Sequence, residues 1–324
     1  MEAAIITTYR CINKCHMCHT WKYPSNKEDE FSPSLLNKLP RLSICNVTGG
    51  EPFLRDDLDE IIAIVQKKAK RIVISTNGYL TDKILDLAKS RGHVGIRISI
   101  EGLPATNDEL RGMKDGFDHG LRTLLGLKRL GMKDIGFGIT VSDRNAEDLL
   151  ELYYLAKYLK VEFATAAVHN SYYFHTSDNE IKNPGDVIQS FSELSQELLK
   201  TWRVKNWYRA YFNQGLIHYI QGNPRLLPCP AGTDVFFLDP YGEIMPCNGM
   251  EENIWWGSMG NLHKKTFSEI WHSEKAQTVR ESAANCPKNC WMIGTASPAM
   301  KKRLLKPTLW VLKNKWTTLR TGRK

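Results

Sequence analysis

No run of apolar residues in the 324-residue sequence approaches the roughly 20 needed to cross a bilayer as a helix. The opening, MEAAIITTYRC, lacks the basic segment, long apolar core and cleavage site of a secretory signal. Both absences predict a soluble cytosolic protein, in a compartment that keeps thiols reduced and makes disulfides a poor explanation for its cysteines. Internal repeats and low-complexity linkers are missing too, which excludes solenoids and tethered arrays. Residues 301–324 contain no acid but hold nine of the 44 Lys and Arg, so the formal charge of +9 belongs to that tail. The rest of the chain sums to about zero, and no basic face for nucleic acid is expected. Finally, no cysteine lies between Cys45 and Cys229. The eight cysteines fall instead into a group at 11, 15 and 18, a group at 229, 247, 286 and 290, and Cys45 alone. A core population would be scattered, so two tight groups predict two metal sites, with Cys45 a buried thiol in an apolar strand.

What is present is an ordinary globular composition, 42% hydrophobic and 24% charged, on a chain long enough for one large α/β domain and a smaller module. AAIITT, LSICNV, RIVIST, VGIRISI, IGFGITV and VEFATAAV read as six strands between residues 3 and 168, mostly as continuous apolar runs suited to burial on both faces. Helical stretches near 56–70, 81–91, 117–131 and 146–159 separate them; DDLDEIIAIVQKKAK has acids in its first turn and bases in its last. Repeated βα units imply a parallel sheet with right-handed crossovers, and six are too few to close an eight-stranded barrel. The expected architecture is a partial (β/α)6 barrel over 1–184, a helical, aromatic-rich bridge over 185–228, a small module over 229–295 and a basic amphipathic tail over 296–324. In the module, VFFLDPYGEIMPC carries hairpin turn chemistry, and a short helix is expected near 266–274.

RCINKCHMCHT sets three thiols at i, i+4 and i+7 directly after the first strand. Three thiolates on a cube of four irons leave one iron open; the alternative is zinc, with His16 or His19 as a fourth ligand. CxxxCxxC after the first strand, TGGEP at 48–52 after the second, STNG at 75–78 after the third and SIEG at 99–102 after the fourth together resemble the radical S-adenosylmethionine (SAM) superfamily. Ligands bind beyond strand C-termini in such sheets. The resemblance, over residues 3–168, implies that Cys11, Cys15 and Cys18 ligate a [4Fe–4S] cluster whose open iron takes the amino and carboxylate groups of SAM. It also implies that Gly49, Gly50, Glu51 and Pro52 form the turn receiving the methionyl ammonium. Ser75, Asn77, Ser99 and Glu101 are then candidates for ribose or carboxylate contacts, and Arg111 for the SAM carboxylate or for an ion pair at the surface. Met17 stands where relatives carry an aromatic residue near adenine, and Glu101 where many carry Asp. One electron cleaves SAM in this superfamily, giving methionine and a 5′-deoxyadenosyl radical that abstracts a substrate hydrogen, so no hydrolytic triad is needed.

Cys229, Gly242, Cys247 and the CPKNC of Cys286 and Cys290 resemble the shorter auxiliary-cluster modules, called SPASM or twitch domains. Four cysteines suffice for one auxiliary [4Fe–4S] cluster; zinc, or a free Cys286 or Cys290 returning a hydrogen atom to substrate, are the alternatives. The resulting expectation is an oxidoreductase-type radical SAM enzyme that oxidises, epimerises or otherwise modifies C–H bonds of a small molecule such as a sugar or envelope-glycan precursor. A low-potential donor such as flavodoxin or ferredoxin would supply electrons. Peptide maturation is the second reading, set lower because the first strand starts at residue 3 and leaves no leader-binding domain before it. A non-catalytic iron–sulfur or zinc protein is the third. In the tail, Leu305, Leu309, Leu312, Trp316 and Leu319 share one helical stripe beside Lys306, Lys313 and Arg320. Such a helix either docks on the protein's own core or contacts the inner face of a membrane peripherally.

Overall fold

The computed structural model describes residues 1–251 and 257–321, without the side chains of 318–321; the side chains of Leu319 of the expected stripe and of Arg320 beside it fall outside. The six expected strands form: β1 (Glu2–Ile6), β2 (Ile44–Thr48), β3 (Ile72–Thr76), β4 (Val94–Ser99), β5 (Ile135–Val141) and β6 (Glu162–Ala167). They lie parallel and in sequence order. Between them run α1 (Leu58–Lys68), α2 (Thr81–Ser90), α3 (Pro104–Arg111), α4 (Gly116–Arg129) and α5 (Leu149–Leu159). Helix α1 buries Leu58, Ile61, Ile62, Ile64 and Val65, with Asp59 and Glu60 at its start and Lys67 and Lys68 at its end, as the dipole favours. Cys45 is fully buried in β2.

The bridge is a helical hairpin, α6 (Pro184–Lys200) and α7 (Val204–Ile220). It is followed by β7 (Val235–Leu238), β8 (Glu243–Met245), β9 (Gly260–Asn261), α8 (Phe267–Trp271), α9 (Glu274–Ala284), α10 (Ile293–Lys302) and α11 (Leu305–Thr321). Sequence periodicity placed one short helix where α8 lies and did not reveal α9 or α10. Strands β7 and β8 are joined by the expected turn: Asp239 Oδ1 accepts from the N–H groups of Tyr241 (2.9 Å) and Glu243 (2.8 Å), and Gly242 takes φ +83°.

Strand β7 pairs in parallel with β1, Ile5 opposite Leu238, so the sheet runs β6-β5-β4-β3-β2-β1-β7-β8-β9 without closing. This open, mostly parallel sheet is the expected partial barrel. The small module is thus hydrogen-bonded into the barrel's own sheet, and the divisions expected at 184 and 228 do not interrupt it. Helix α10 buries Thr295, Ala296, Ala299 and Met300 and packs on β1 and β7, so the chain from 296 to Lys302 is part of the body and the tail proper begins after it.

Candidate functional site

The loop that follows β1 is fixed from below. Arg10 donates to both oxygens of Glu30 (3.0 and 2.8 Å), and Arg55 donates to Glu30, Asp57 and the carbonyls of Thr7 and Phe31. Burial pushes the Glu30 carboxyl up, but donors from Arg10, Ser25 and Thr8 outweigh it and hold the group below the usual range. The β2 turn then locks onto this loop: Gly50 N–H donates to Thr8 O (2.7 Å) and Glu51 N–H to Arg10 O (2.8 Å). A Cβ at Gly50 would lie 2.2 Å from Arg10 O, and one at Gly49 2.6 Å from Thr8 O. Both glycines are therefore required by the approach of two backbones within the protein itself.

Glu51 is wholly buried, and its carboxylate accepts from Phe53 N–H (3.1 Å), the Thr76 hydroxyl (2.8 Å) and Asn77 N–H (2.7 Å). Pro52 opens the short turn after it. Asn77 Nδ2 donates to Asn13 Oδ1 (2.6 Å), which ties the β3 loop to the cysteine loop, while Ser75 donates to Asn46 beneath (3.1 Å). Ser99 is half-buried at the end of β4. Glu101 accepts from Arg111 Nη1 (3.0 Å) and Thr140 N–H (2.6 Å). Arg111 was expected either at SAM or in a surface pair; its pair with Glu101 is buried, and its Nε is buried with no hydrogen-bond partner. The α3 backbone carries the cysteine loop as well: Lys14 N–H donates to Arg111 O (3.1 Å) and His16 N–H to Leu110 O (2.9 Å).

Cys11, Cys15 and Cys18 all lie within electrostatic reach of Arg111. Burial pushes Cys11 up to about 12 and Cys15 up to about 11, each raised further by a neighbouring thiol and opposed by the Arg111 charge. Burial likewise raises Cys18, which contacts the Thr20 hydroxyl at 3.1 Å. The two histidines considered for zinc turn elsewhere, His16 to Arg144 (2.9 Å) and His19 to the His175 carbonyl (3.2 Å). Among the described residues no three His, Cys, Asp or Glu side chains converge tightly enough to hold a single metal ion.

Residues 169–183, beyond β6, hydrogen-bond to segments beside both thiol groups, a role that no strand or helix periodicity indicates. On the first side Tyr173 OH donates to Gly49 O (3.0 Å), His19 N–H donates to Phe174 O (2.7 Å) and Asn179 Nδ2 donates to Met17 O (3.1 Å). On the second side Tyr172 N–H donates to Met250 O (2.6 Å), and Ser171 bonds the Asn248 carbonyl. Met17 borders a polar cavity of about 190 Å³ with Thr140, Arg144 and Asn179. Burial holds His169, at the end of β6, down to about 4, and its Nε2 is buried without a partner. The one available signal was the aromatic run SYYFH just beyond the last barrel strand.

All four remaining cysteines, Cys229, Cys247, Cys286 and Cys290, line one cavity of about 490 Å³. Burial pushes Cys247 up to about 12, and the other three thiols add to the effect. Two cations border the same space. Arg225 donates to the carbonyls of Cys290 and Leu227, lies over the Trp291 ring at 5.1 Å and keeps a buried Nη2 without a partner. Lys288 Nζ donates to Gly249 O (3.0 Å) and pairs with Glu251.

Both donor sets suit an iron–sulfur cluster. They supply three and four thiols, and each set neighbours an arginine, the buried Arg111 and the half-buried Arg225, with one buried nitrogen that lacks a hydrogen-bond partner.

Comparison with known proteins agrees. Residues 5–156 match the radical SAM superfamily, and residues 229–291 match the SPASM iron–sulfur cluster-binding domain. An AdoMet-dependent heme synthase of Methanosarcina barkeri is 29% identical over 72% of this chain and 69% of its own length. Mycofactocin maturase MftC of Mycolicibacterium smegmatis is 26% identical over 86% and 72%. The Fe-coproporphyrin III synthase of Methanosarcina barkeri is 34% identical over 48% of this chain, a match spanning only 40% of that protein. Among solved structures, Streptococcus suis SuiB superposes with a TM-score of 0.63 at 16% identity, over 84% of this chain and 65% of that one, a likeness of fold. The two matched domains imply a SAM-binding [4Fe–4S] cluster, an auxiliary iron–sulfur cluster and SAM itself.

Proposed function

Because this chain joins a radical SAM domain to a SPASM-type iron–sulfur domain, we propose that Cys11, Cys15 and Cys18 hold the SAM-binding cluster and that Cys229, Cys247, Cys286 and Cys290 hold one auxiliary [4Fe–4S] cluster. The observation that carries this reading is that each thiol set neighbours an arginine, Arg111 or Arg225, with a buried nitrogen that lacks a hydrogen-bond partner. When bound, the first cluster supplies the electron that cleaves SAM to methionine and the 5′-deoxyadenosyl radical, the species that abstracts a substrate hydrogen. The protein's share is binding and exclusion of water. Arg111 Nε is aimed at an anionic partner and receives the methionyl carboxylate, with Glu101 fixing the guanidinium. Carbonyls of the Gly49–Gly50 turn receive the ammonium above the buried Glu51. Ser75 and Ser99 are the ribose-side groups, Asn77 orients the cysteine loop through Asn13, and Met17 packs beside adenine. The common cavity favours four ligands at the second site over a free Cys286 or Cys290 acting as hydrogen-atom donor. In functional terms 1–184 serves SAM, 229–295 the auxiliary cluster, and 185–228 the support between them.

The substrate lies between the two thiol sites, under residues 169–183. Their hydrogen bonds tie together segments beside both sites, which supports oxidation or epimerisation of a small molecule such as a sugar or glycan precursor held there. Peptide maturation is the second reading, favoured by the similarity to MftC. A low-potential donor such as flavodoxin or ferredoxin completes the system. Anaerobic reconstitution with iron, sulfide, SAM and dithionite should yield 5′-deoxyadenosine; none at all overturns the enzymatic reading. Transfer of deuterium into 5′-deoxyadenosine from labelled sugar nucleotides, against labelled peptides, separates the two substrate classes.

A further inference from the structure

Helix α11 is locked onto α6 and α7 by one face. Pro307, Val311 and Lys315 are buried there, and the Trp310 ring meets Tyr211 edge-on at 5.7 Å. Lys315 donates to the carbonyls of Leu199 (2.7 Å) and Thr201 (2.8 Å) at the end of α6 and lies over the rings of Trp202 and Trp207 at 4.4 and 4.7 Å. An ammonium placed on helix-end carbonyls and two indole faces is well held without a carboxylate.

The opposite face carries Leu305, Leu309 and Leu312 of the stripe anticipated from the sequence, turned away from the body. Leu305, Leu309, Leu312 and Trp316 are 73%, 57%, 61% and 63% exposed. Trp202 and Val204, at the α6–α7 corner, are exposed as well. Lys306 and Lys313 stand exposed along one flank. Lys301 and Lys302 are engaged with Glu2 and Asp234, so the described cations beside the stripe are Lys306, Lys313 and the neighbouring Arg303.

We propose that this face is a peripheral membrane-binding surface, with α11 lying in the interfacial plane of an anionic bilayer. Charge selects this occupant. An exposed apolar stripe rimmed by lysines, in a segment with no acid, complements acyl chains edged by phosphates. A second copy of the chain would set the same lysines against one another. The fixed orientation turns the stripe outward before any lipid is met, so little ordering is needed on binding. The inference is independent of the reading of the thiol sites.

Sedimentation of the full-length protein with vesicles tests it. Partition onto phosphatidylglycerol-containing vesicles should exceed that onto pure phosphatidylcholine by roughly tenfold or more and fall as salt rises. Leu309→Glu with Leu312→Glu, on a face that supports no packing, should lower partition by at least roughly tenfold with unchanged thermal unfolding. Lys306→Glu with Lys313→Glu should remove the preference for anionic lipid. Failure of the wild type to sediment, or an unchanged double-leucine variant, overturns the proposal. So does a concentration-dependent dimer that the leucine substitutions abolish, since the stripe would then belong to a second copy.

Discussion

Cys11, Cys15 and Cys18 share one eight-residue loop, whereas Cys229, Cys247, Cys286 and Cys290 are gathered from segments spread over 62 residues. The first loop is held by groups that need no metal: the Arg10–Glu30–Arg55 cluster beneath it, the glycine contacts beside it, and the Glu101–Arg111 pair across from it. The second set borders an open cavity whose walls come from strand ends, a helix end and loops. A preorganised site keeps its shape when empty; a site gathered from distant segments draws part of its stability from what it binds. The difference assigns the barrel the task of presenting SAM in a fixed pose. It makes the second region the one whose order depends on its own cluster.

The largest test of that contrast separates the sites by substitution. Replacing Cys11, Cys15 and Cys18 by Ala should abolish 5′-deoxyadenosine formation and remove about one cluster's iron and sulfide. Replacing Cys229 and Cys247 should remove a similar amount of iron yet leave SAM cleavage measurable. Loss of SAM cleavage in both variants would break the comparison. Next in size, Arg111→Met strands Glu101 as an unpaired buried charge and should cost about 3–5 kcal/mol in denaturant melts of the apo protein. Arg225→Met removes hydrogen bonds to carbonyls and the contact with the Trp291 ring but strands no carboxylate, and should cost about 1–2 kcal/mol. A glycine pair sharpens the contrast further. Gly50→Ala drives a Cβ into the Arg10 carbonyl and should destabilise by roughly 1–3 kcal/mol. Gly249→Ala meets only the flexible end of Met292 and should cost under about 1 kcal/mol.

The smallest effect concerns the turn that joins the second region to the sheet. Burial pushes Asp239 from the usual 3.8 up to about 6, opposed by the N–H donors of Glu243 and Tyr241 and aided slightly by the Glu243 charge. A raised carboxyl contributes stability that is present below pH 3.8 and lost as pH rises through about 6. Asp239→Asn keeps the acceptor oxygen for Tyr241 and Glu243 and should therefore stabilise at pH 7, on the order of 1 kcal/mol, while leaving melts at pH 4 nearly unchanged.

Much of the barrel was legible because its information is local. Apolar runs gave six strands, and the ordered cysteine, TGGEP, STNG and SIEG segments marked their C-terminal ends. What escaped is set by distant partners. Nothing near Val235 says that it will pair with a strand at Glu2. The charge of Glu51 was readable, but not that its oxygens accept from Thr76, Asn77 and Phe53. The stripe on α11 was visible as a period, but its direction was not. Lys315, on the body side, reads as a surface residue until two carbonyls and two indoles come together around it. Residues 169–183 have neither period, so their bridging role shows only in their hydrogen bonds.

The pairing of β1 with β7 also dictates an order of events on the ribosome. Strand β1 emerges first, and one of its edges waits for a partner that ends at Leu238. At about 5–20 residues per second, that edge stays open for roughly ten seconds to a minute. The exposed edge is Ala-Ala-Ile-Ile, a template for wrong pairing between nascent chains. Crowded or cold expression, which lengthens the wait, should therefore favour aggregates seeded at β1, and slower initiation that spaces ribosomes apart should recover folded protein.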